Sequence, residues 1–137
     1  MKKVAVVYWS GTGNTEAMAN AVKQGAGVGV ELFTASEFGP ADVSKFDAFA
    51  FGCPAMGSEQ LEDGEFEPMF DSVKDSLSGK SVALFGSYGW GDGDWMRNWE
   101  EDCKAAGINL VCDSVICNEA PDDEVIAACK ALGAALA

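Results

Sequence analysis

Apolar runs alternate along this chain with segments of helical period. Residues 3–9 (Lys-Val-Ala-Val-Val-Tyr-Trp) form an unbroken β-rich run, as do 46–51 and 81–86. Continuous rather than alternating apolar character marks strands buried on both faces. A weaker strand is expected at 28–33, interrupted by Gly29, and a last one at 108–117. Helical spacing appears at 15–24 through Ala17, Met18, Ala21 and Val22, before the glycine-rich stretch 25–29 breaks it. Further helices are predicted at 42–45 behind Pro40, at 66–77, at 94–106 opened by Asp94, and at 122–136 behind Pro121. Five alternations of strand and helix predict an α/β three-layer sandwich around a five-stranded parallel sheet. With 137 residues, the chain has the length of one domain. Ligands of such sheets bind beyond the carboxyl ends of the strands, where the strand order reverses. The loops after the first, third and fourth strands are therefore where chemistry is expected.

Charge narrows the function classes. Twenty-two acidic residues stand against nine basic ones, giving a net charge of −13, and there is no histidine. A nucleic-acid binder neutralises phosphates with Lys and Arg, so that class is excluded, and anionic membrane surfaces are disfavoured for the same reason. Without histidine there is no Ser-His-Asp or Cys-His mechanism. The apolar run at Val4–Val7 is too short for a targeting or spanning segment, which points to the cytoplasm. Five cysteines (53, 103, 112, 117 and 129) include no Cys-x-x-Cys pair and read as buried free thiols. Chemistry must then come from a cofactor, a carboxylate or a thiol.

Ser10, Gly11, Thr12, Gly13, Asn14 and Thr15 follow the first strand and open the first helix. A helix N-terminus offers unpaired N–H groups and a partial positive charge, and the side chains here add neutral donors. The loop lacks the lysine of a Walker A motif and is not a G-x-G-x-x-G fingerprint, so it fits a single terminal phosphate. Pro54, Ala55, Met56, Gly57, Ser58 and Glu59 follow the third strand; Ser87, Tyr88, Gly89, Trp90 and Gly91 follow the fourth. A tryptophan between glycines suits stacking on a flat ligand, with Met56 either covering the other face or merely packing. Trp9 and Trp95 read as packing residues.

These three segments, in this order, resemble the FMN-binding loops of the flavodoxins, most closely the short-chain flavodoxins of strict anaerobes. The resemblance spans essentially the whole chain, and no insertion splits the last strand. It implies a sheet order of 2-1-3-4-5, one non-covalent FMN and a monomer. It also implies roles by position. Ser10, Thr12, Asn14 and Thr15 would hold the phosphate, with Ser87 near the phosphate or ribityl chain. Met56 and Trp90 would sandwich the ring system. Glu59 would accept from the ring N3–H, and backbone N–H groups near Gly89 would reach O2. The peptide at Gly57 would turn its carbonyl toward N5 when N5 is protonated, favouring the one-electron-reduced form. An FMN-dependent quinone or disulfide reductase on the same fold is the alternative.

The acidity then acquires a place. Residues 46–73 hold seven carboxylates (Asp47, Glu59, Glu62, Asp63, Glu65, Glu67, Asp71) and no Lys or Arg. Fully reduced flavin is anionic. At an effective dielectric of about 20 to 80, a charge about 10 Å away costs roughly 0.4–1.7 kcal/mol before screening. About 1.4 kcal/mol corresponds to about 59 mV for one electron, so several carboxylates lower the potential by on the order of 100 mV. Neutralising Glu62, Asp63 and Glu65 together is expected to raise it. The same surface is expected to steer toward basic docking faces of low-potential oxidoreductases.

Overall fold

The computed structural model describes residues 3–57, 59–89 and 91–137. Its elements run β1 (Val4–Tyr8), α1 (Asn14–Ala26), β2 (Val30–Thr34), α2 (Pro40–Val43), β3 (Ala48–Gly52), α3 (Phe66–Val73), β4 (Ser81–Tyr88), α4 (Asp94–Ala105), β5 (Asn109–Leu110), β6 (Val115–Asn118) and α5 (Asp123–Leu136). All strand pairs are parallel, in the order β2-β1-β3-β4-β5, with β6 also on β4. This is the predicted α/β sandwich with the predicted order.

Every residue of β1 and β3 is buried, because helices cover both faces. Side chains alternate across the sheet. Ala5, Val7, Phe49, Phe51, Val82 and Leu84 join α2, α3 and α4 in an aromatic core. Val4, Val6, Ala48, Ala50 and Ala83 face α1 and α5. Small residues on that second face let the two helices come close. A Cβ on Gly25 would lie 1.9 Å from the Lys130 carbonyl oxygen, and one on Gly133 would lie 2.1 Å from that of Val22.

The departures from expectation have physical causes. Gly25 does not end the first helix; it is the contact point with α5, and α1 continues to Ala26 before Gly27 turns out at φ +76°. The helix expected at 42–45 begins earlier, with Pro40 at its first turn. The expected helix 66–77 is α-helical only to Val73 and ends in a 3-10 turn. The last strand is two pieces. Asn109 sits opposite Ser81 and Val115 opposite Phe85, so six residues of the edge span four of β4 and the surplus bulges out. Finally, Ser87 and Tyr88 belong to β4 rather than to a loop, because β6 pairs with them through Cys117 and Asn118. Among the described residues no helix is long and apolar enough to cross a membrane.

Candidate functional site

The ladder of hydrogen bonds continues past the strand ends and aligns the loops. Trp9 N–H donates to the Gly52 carbonyl (3.0 Å), Cys53 N–H to Phe85 (3.1 Å), Ala55 N–H to Ser87 (3.0 Å) and Glu119 N–H to Tyr88 (2.7 Å). The loops following β1, β3, β4 and β6 enclose a cavity of about 390 Å³. That volume lies within the range of small-molecule and cofactor sites.

At one end is the start of α1. Gly13 caps the helix at φ +96°, where a side chain would be strained although its Cβ would touch nothing. Its N–H donates to Ser10 Oγ at 3.1 Å, and the Asn14 N–H faces Thr12 Oγ1 at 3.5 Å. Thr15 is wholly buried, with its hydroxyl 2.9 Å from Ser87 Oγ and receiving the Ser87 N–H at 3.4 Å. That pair locks the first helical turn to the end of β4. Ser10, Gly11, Thr12, Asn14 and Thr15 line the cavity, whereas Gly13 faces the neighbouring cleft. No Lys or Arg is among the described lining residues. What the end offers is neutral: hydroxyls, an amide, and first-turn N–H groups without intrahelical acceptors.

The other end is a slot between two loops. Pro54, Ala55 and Met56 form one wall, and Ser87, Tyr88 and Gly89 the other. Met56 is 38% exposed at the mouth. Tyr88 is backed by Trp95, with ring centroids 5.5 Å apart. Met56 and Gln60 exchange N–H···O bonds of 2.8 and 2.9 Å, closing a tight turn with Gly57 at its exposed tip, at φ +53°. Gly57 is outside the lining. Ser58 and Trp90 lie outside the described residues.

Glu59 is placed elsewhere than the resemblance implies. Its Oε1 accepts from the N–H groups of Asp94 (2.8 Å) and Gly93 (3.2 Å), so it caps α4. It lines a separate cleft with Trp95 and Asn98 and does not reach into the cavity. Gly91 explains itself against this carboxylate: at φ +88°, its Cβ would lie 2.7 Å from Glu59 Cδ. Gly91 makes room for Glu59 and is likewise absent from the lining. The carboxylates of Glu59, Asp92 and Asp94 gather there, and Arg97 pairs with both aspartates.

Two lining residues escaped the sequence reading of the binding loops. Trp9, read as packing, is half-buried against the cavity, and its indole N–H donates to Glu65 Oε1 at 3.0 Å. Its place immediately before the phosphate loop was the available signal. Glu119 stands at the rim with a left-handed φ of +62°; only its position after the last strand hinted at this. Trp95 is a packing residue as expected, 2% exposed and donating to the Cys53 carbonyl at 3.1 Å.

The carboxylates also divide by environment. Glu62, grouped above with Asp63 and Glu65, is buried, whereas those two are exposed. Burial raises its pKa, but the N–H groups of Phe66, Glu65 and Gly64 donate to it at 2.7–2.8 Å and hold it below the ordinary range. Neutralising it together with Asp63 and Glu65 would dismantle a loop, so that triple substitution is no clean test of charge. Burial first, and the Glu16 carboxylate at 3.0 Å second, raise the Tyr8 hydroxyl. All five cysteines are free thiols; Cys53, Cys103, Cys117 and Cys129 are buried and Cys112 half-buried. Burial pushes Cys103 and Cys129 up to about 12.

Comparison with known proteins places this geometry. A family model described as Flavodoxin matches residues 6–132. The flavodoxin of Megasphaera elsdenii is 46% identical over 98% of both chains. That of Clostridium beijerinckii is 45% identical, covering 86% of this chain and 88% of its own. The solution structure of two-electron reduced Megasphaera elsdenii flavodoxin aligns with a TM-score of 0.88 over 97% of both chains.

Proposed function

Because the chain belongs to the flavodoxin family, and so transfers electrons on FMN, we propose that it is a low-potential one-electron shuttle rather than an enzyme. One observation carries the reading: one cavity joins an anion cradle at the start of α1, without Lys or Arg among the described residues, to a slot open at its edge. The residues present fit FMN. The first turn of α1 with Ser10, Thr12, Asn14 and Thr15 takes the phosphate. Ser87, fixed by Thr15, stands between the two ends, and Met56 and Tyr88 border the ring slot.

Bound FMN supplies the electron chemistry. The chain binds it, orients it and chooses which redox state is favoured. Gly57 is already left-handed, a conformation glycine adopts at little steric cost, and nothing lies within 4 Å of its Cβ position. Glu119 at the rim and the exposed acids beyond it disfavour added negative charge. No cysteine, lysine or arginine lines the cavity among the described residues, which supports a carrier over a quinone or disulfide reductase. We further propose that the chain works as a cytoplasmic monomer and docks through its acidic surface on basic faces of low-potential oxidoreductases.

An absorption spectrum of the purified protein tests the cofactor; a colourless preparation that FMN does not reconstitute would overturn the reading. Incubation with NAD(P)H and a quinone separates carrier from reductase. A carrier gives no turnover until a separate reductase is added.

A further inference from the structure

We propose that Trp9 is a positioning residue for the phosphate end of the cavity, with Glu65 holding its indole as a wall beneath the phosphate loop. The inference rests on the reading that residues 10–15 receive the phosphate of FMN.

The indole is pinned from both sides. The loop backbone closes on the benzo end of the ring: a Cβ on Gly11 would sit 3.1 Å from Cη2 and 3.3 Å from Cζ3 of Trp9. Gly11 is absent from the left-handed glycines, so glycine serves the contact there, not the backbone conformation. At its other edge the indole N–H donates to Glu65 Oε1 at 3.0 Å. The acceptor is itself anchored. The Glu65 N–H donates to Glu62 Oε1 at 2.8 Å, and the buried Glu62 sends its own N–H to Cys53 Sγ at 3.3 Å. Cys53 begins the loop that forms the far wall of the slot. One turn at the start of α3 thus keys both ends of the cavity.

The indole is also a partition. It borders the 390 Å³ cavity and a second cleft of about 490 Å³ that holds the carboxylates of Glu16 and Glu65. Without the Glu65 bond the ring is free to swing, the loop over Gly11 loses its floor, and water enters from the acidic side. A competing account gives Glu65 charge alone, in which case any neutral replacement strengthens binding of an anion.

Glu65→Gln, Glu65→Ala and Trp9→Phe separate the two accounts. Each apoprotein is titrated with FMN and with riboflavin, which lacks the phosphate, following flavin fluorescence. Glu65→Gln keeps an acceptor oxygen and drops the charge, so it is expected to bind FMN as tightly as the parent or more so. Glu65→Ala and Trp9→Phe are expected to weaken FMN by roughly threefold to tenfold, the scale of one hydrogen bond, with riboflavin unchanged. Glu65 is exposed, so its variants report even where Trp9→Phe folds poorly. Glu65→Gln and Glu65→Ala behaving alike, or equal losses for both ligands, would overturn the proposal. A parent protein that itself shows no preference for FMN over riboflavin would instead overturn the phosphate-loop reading.

Discussion

Glu62→Gln is the sharpest perturbation of the loop that builds the ring slot. In the native protein Oε1 accepts from the N–H groups of Glu65 and Phe66 at 2.8 Å, and Oε2 from Gly64 at 2.7 Å. Gln retains one oxygen and sets an amide NH₂ against the Gly64 N–H. One charge-assisted bond becomes a confrontation of donors, and the other two weaken to neutral strength. The expected loss is roughly 2–3 kcal/mol, or roughly 6–10 °C in melting temperature for a chain of this size. The pH dependence has a definite sign. Glu62 titrates lower in the folded chain than in the unfolded one, so its contribution is complete above the unfolded value of about 4.3 and disappears as pH falls through the folded value. The gap between parent and variant should therefore be constant near neutrality and close in acid. Urea denaturation of FMN-saturated protein, compared at equal m-values from pH 7 downward, measures it. A gap below about 0.5 kcal/mol at pH 7, or one that persists undiminished in acid, would refute the argument.

Gly57→Ala meets no atom within 4 Å, so its cost is the left-handed backbone alone, about 1 kcal/mol. It should lower the maximum of one-electron-reduced protein in a dithionite titration; an unaltered maximum would remove Gly57 from the redox mechanism. Glu119→Gln should raise the potential of the second electron by on the order of tens of mV at low ionic strength and by less in high salt, and a potential indifferent to the change would count against the rim charge. Thr15→Val keeps the shape of a wholly buried residue but removes both bonds to Ser87. FMN affinity measured by apoprotein titration should fall by about tenfold; undiminished affinity would show that the pair does not set the loop. Gly86→Ala would place a Cβ 2.1 Å from the Cys53 carbonyl oxygen, a backbone atom with no room to move. A loss of roughly 3 kcal/mol or more is expected, and recovery of soluble variant with parental FMN binding would contradict the packing.

What could be read from the sequence was local. β1 and β3 were legible because burial on both faces writes an apolar run that needs no partner to interpret. The loop at 10–15 was legible as a strand-to-helix turn because strand, small polar turn and helix follow one another directly. What the sequence does not announce is which partner a residue meets, whether far along the chain or in the next turn. Gly25 looks like a helix breaker until Lys130 lies against it, 105 positions away. Glu59 has no visible partner in the sequence, yet Gly93 and Asp94 supply it with donors 34 and 35 positions on. Glu62 looks like one more surface acid until the turn folds three N–H groups around it. The split of the last strand depends on a register slip against β4, and the bulge carries Ser114, whose hydroxyl donates to Glu100 at 2.7 Å. Composition records none of these pairings.

Among the described residues, the lack of cations at the start of α1 and the excess of carboxylates around the cavity belong to one design. A chain of net charge −13 with no lysine or arginine among the described lining residues would hold an anion by hydrogen bonds and the start of a helix. Accordingly three points at the start of α1 are fixed by something else: Ser10 by the Gly13 N–H, Thr15 by Ser87, the turn at Gly11 by the indole of Trp9. Neutral donors satisfy a phosphate at short range but leave its charge in place. With FMN bound, that charge would act on the ring together with Glu119 and the exposed acids, all in the same direction, against the second electron. A lysine in the loop would bind the phosphate more tightly and cancel part of that field. On the proposed reading, forgoing it would keep reduced FMN more strongly reducing, and the hydrogen-bonded cradle is what would make forgoing it possible.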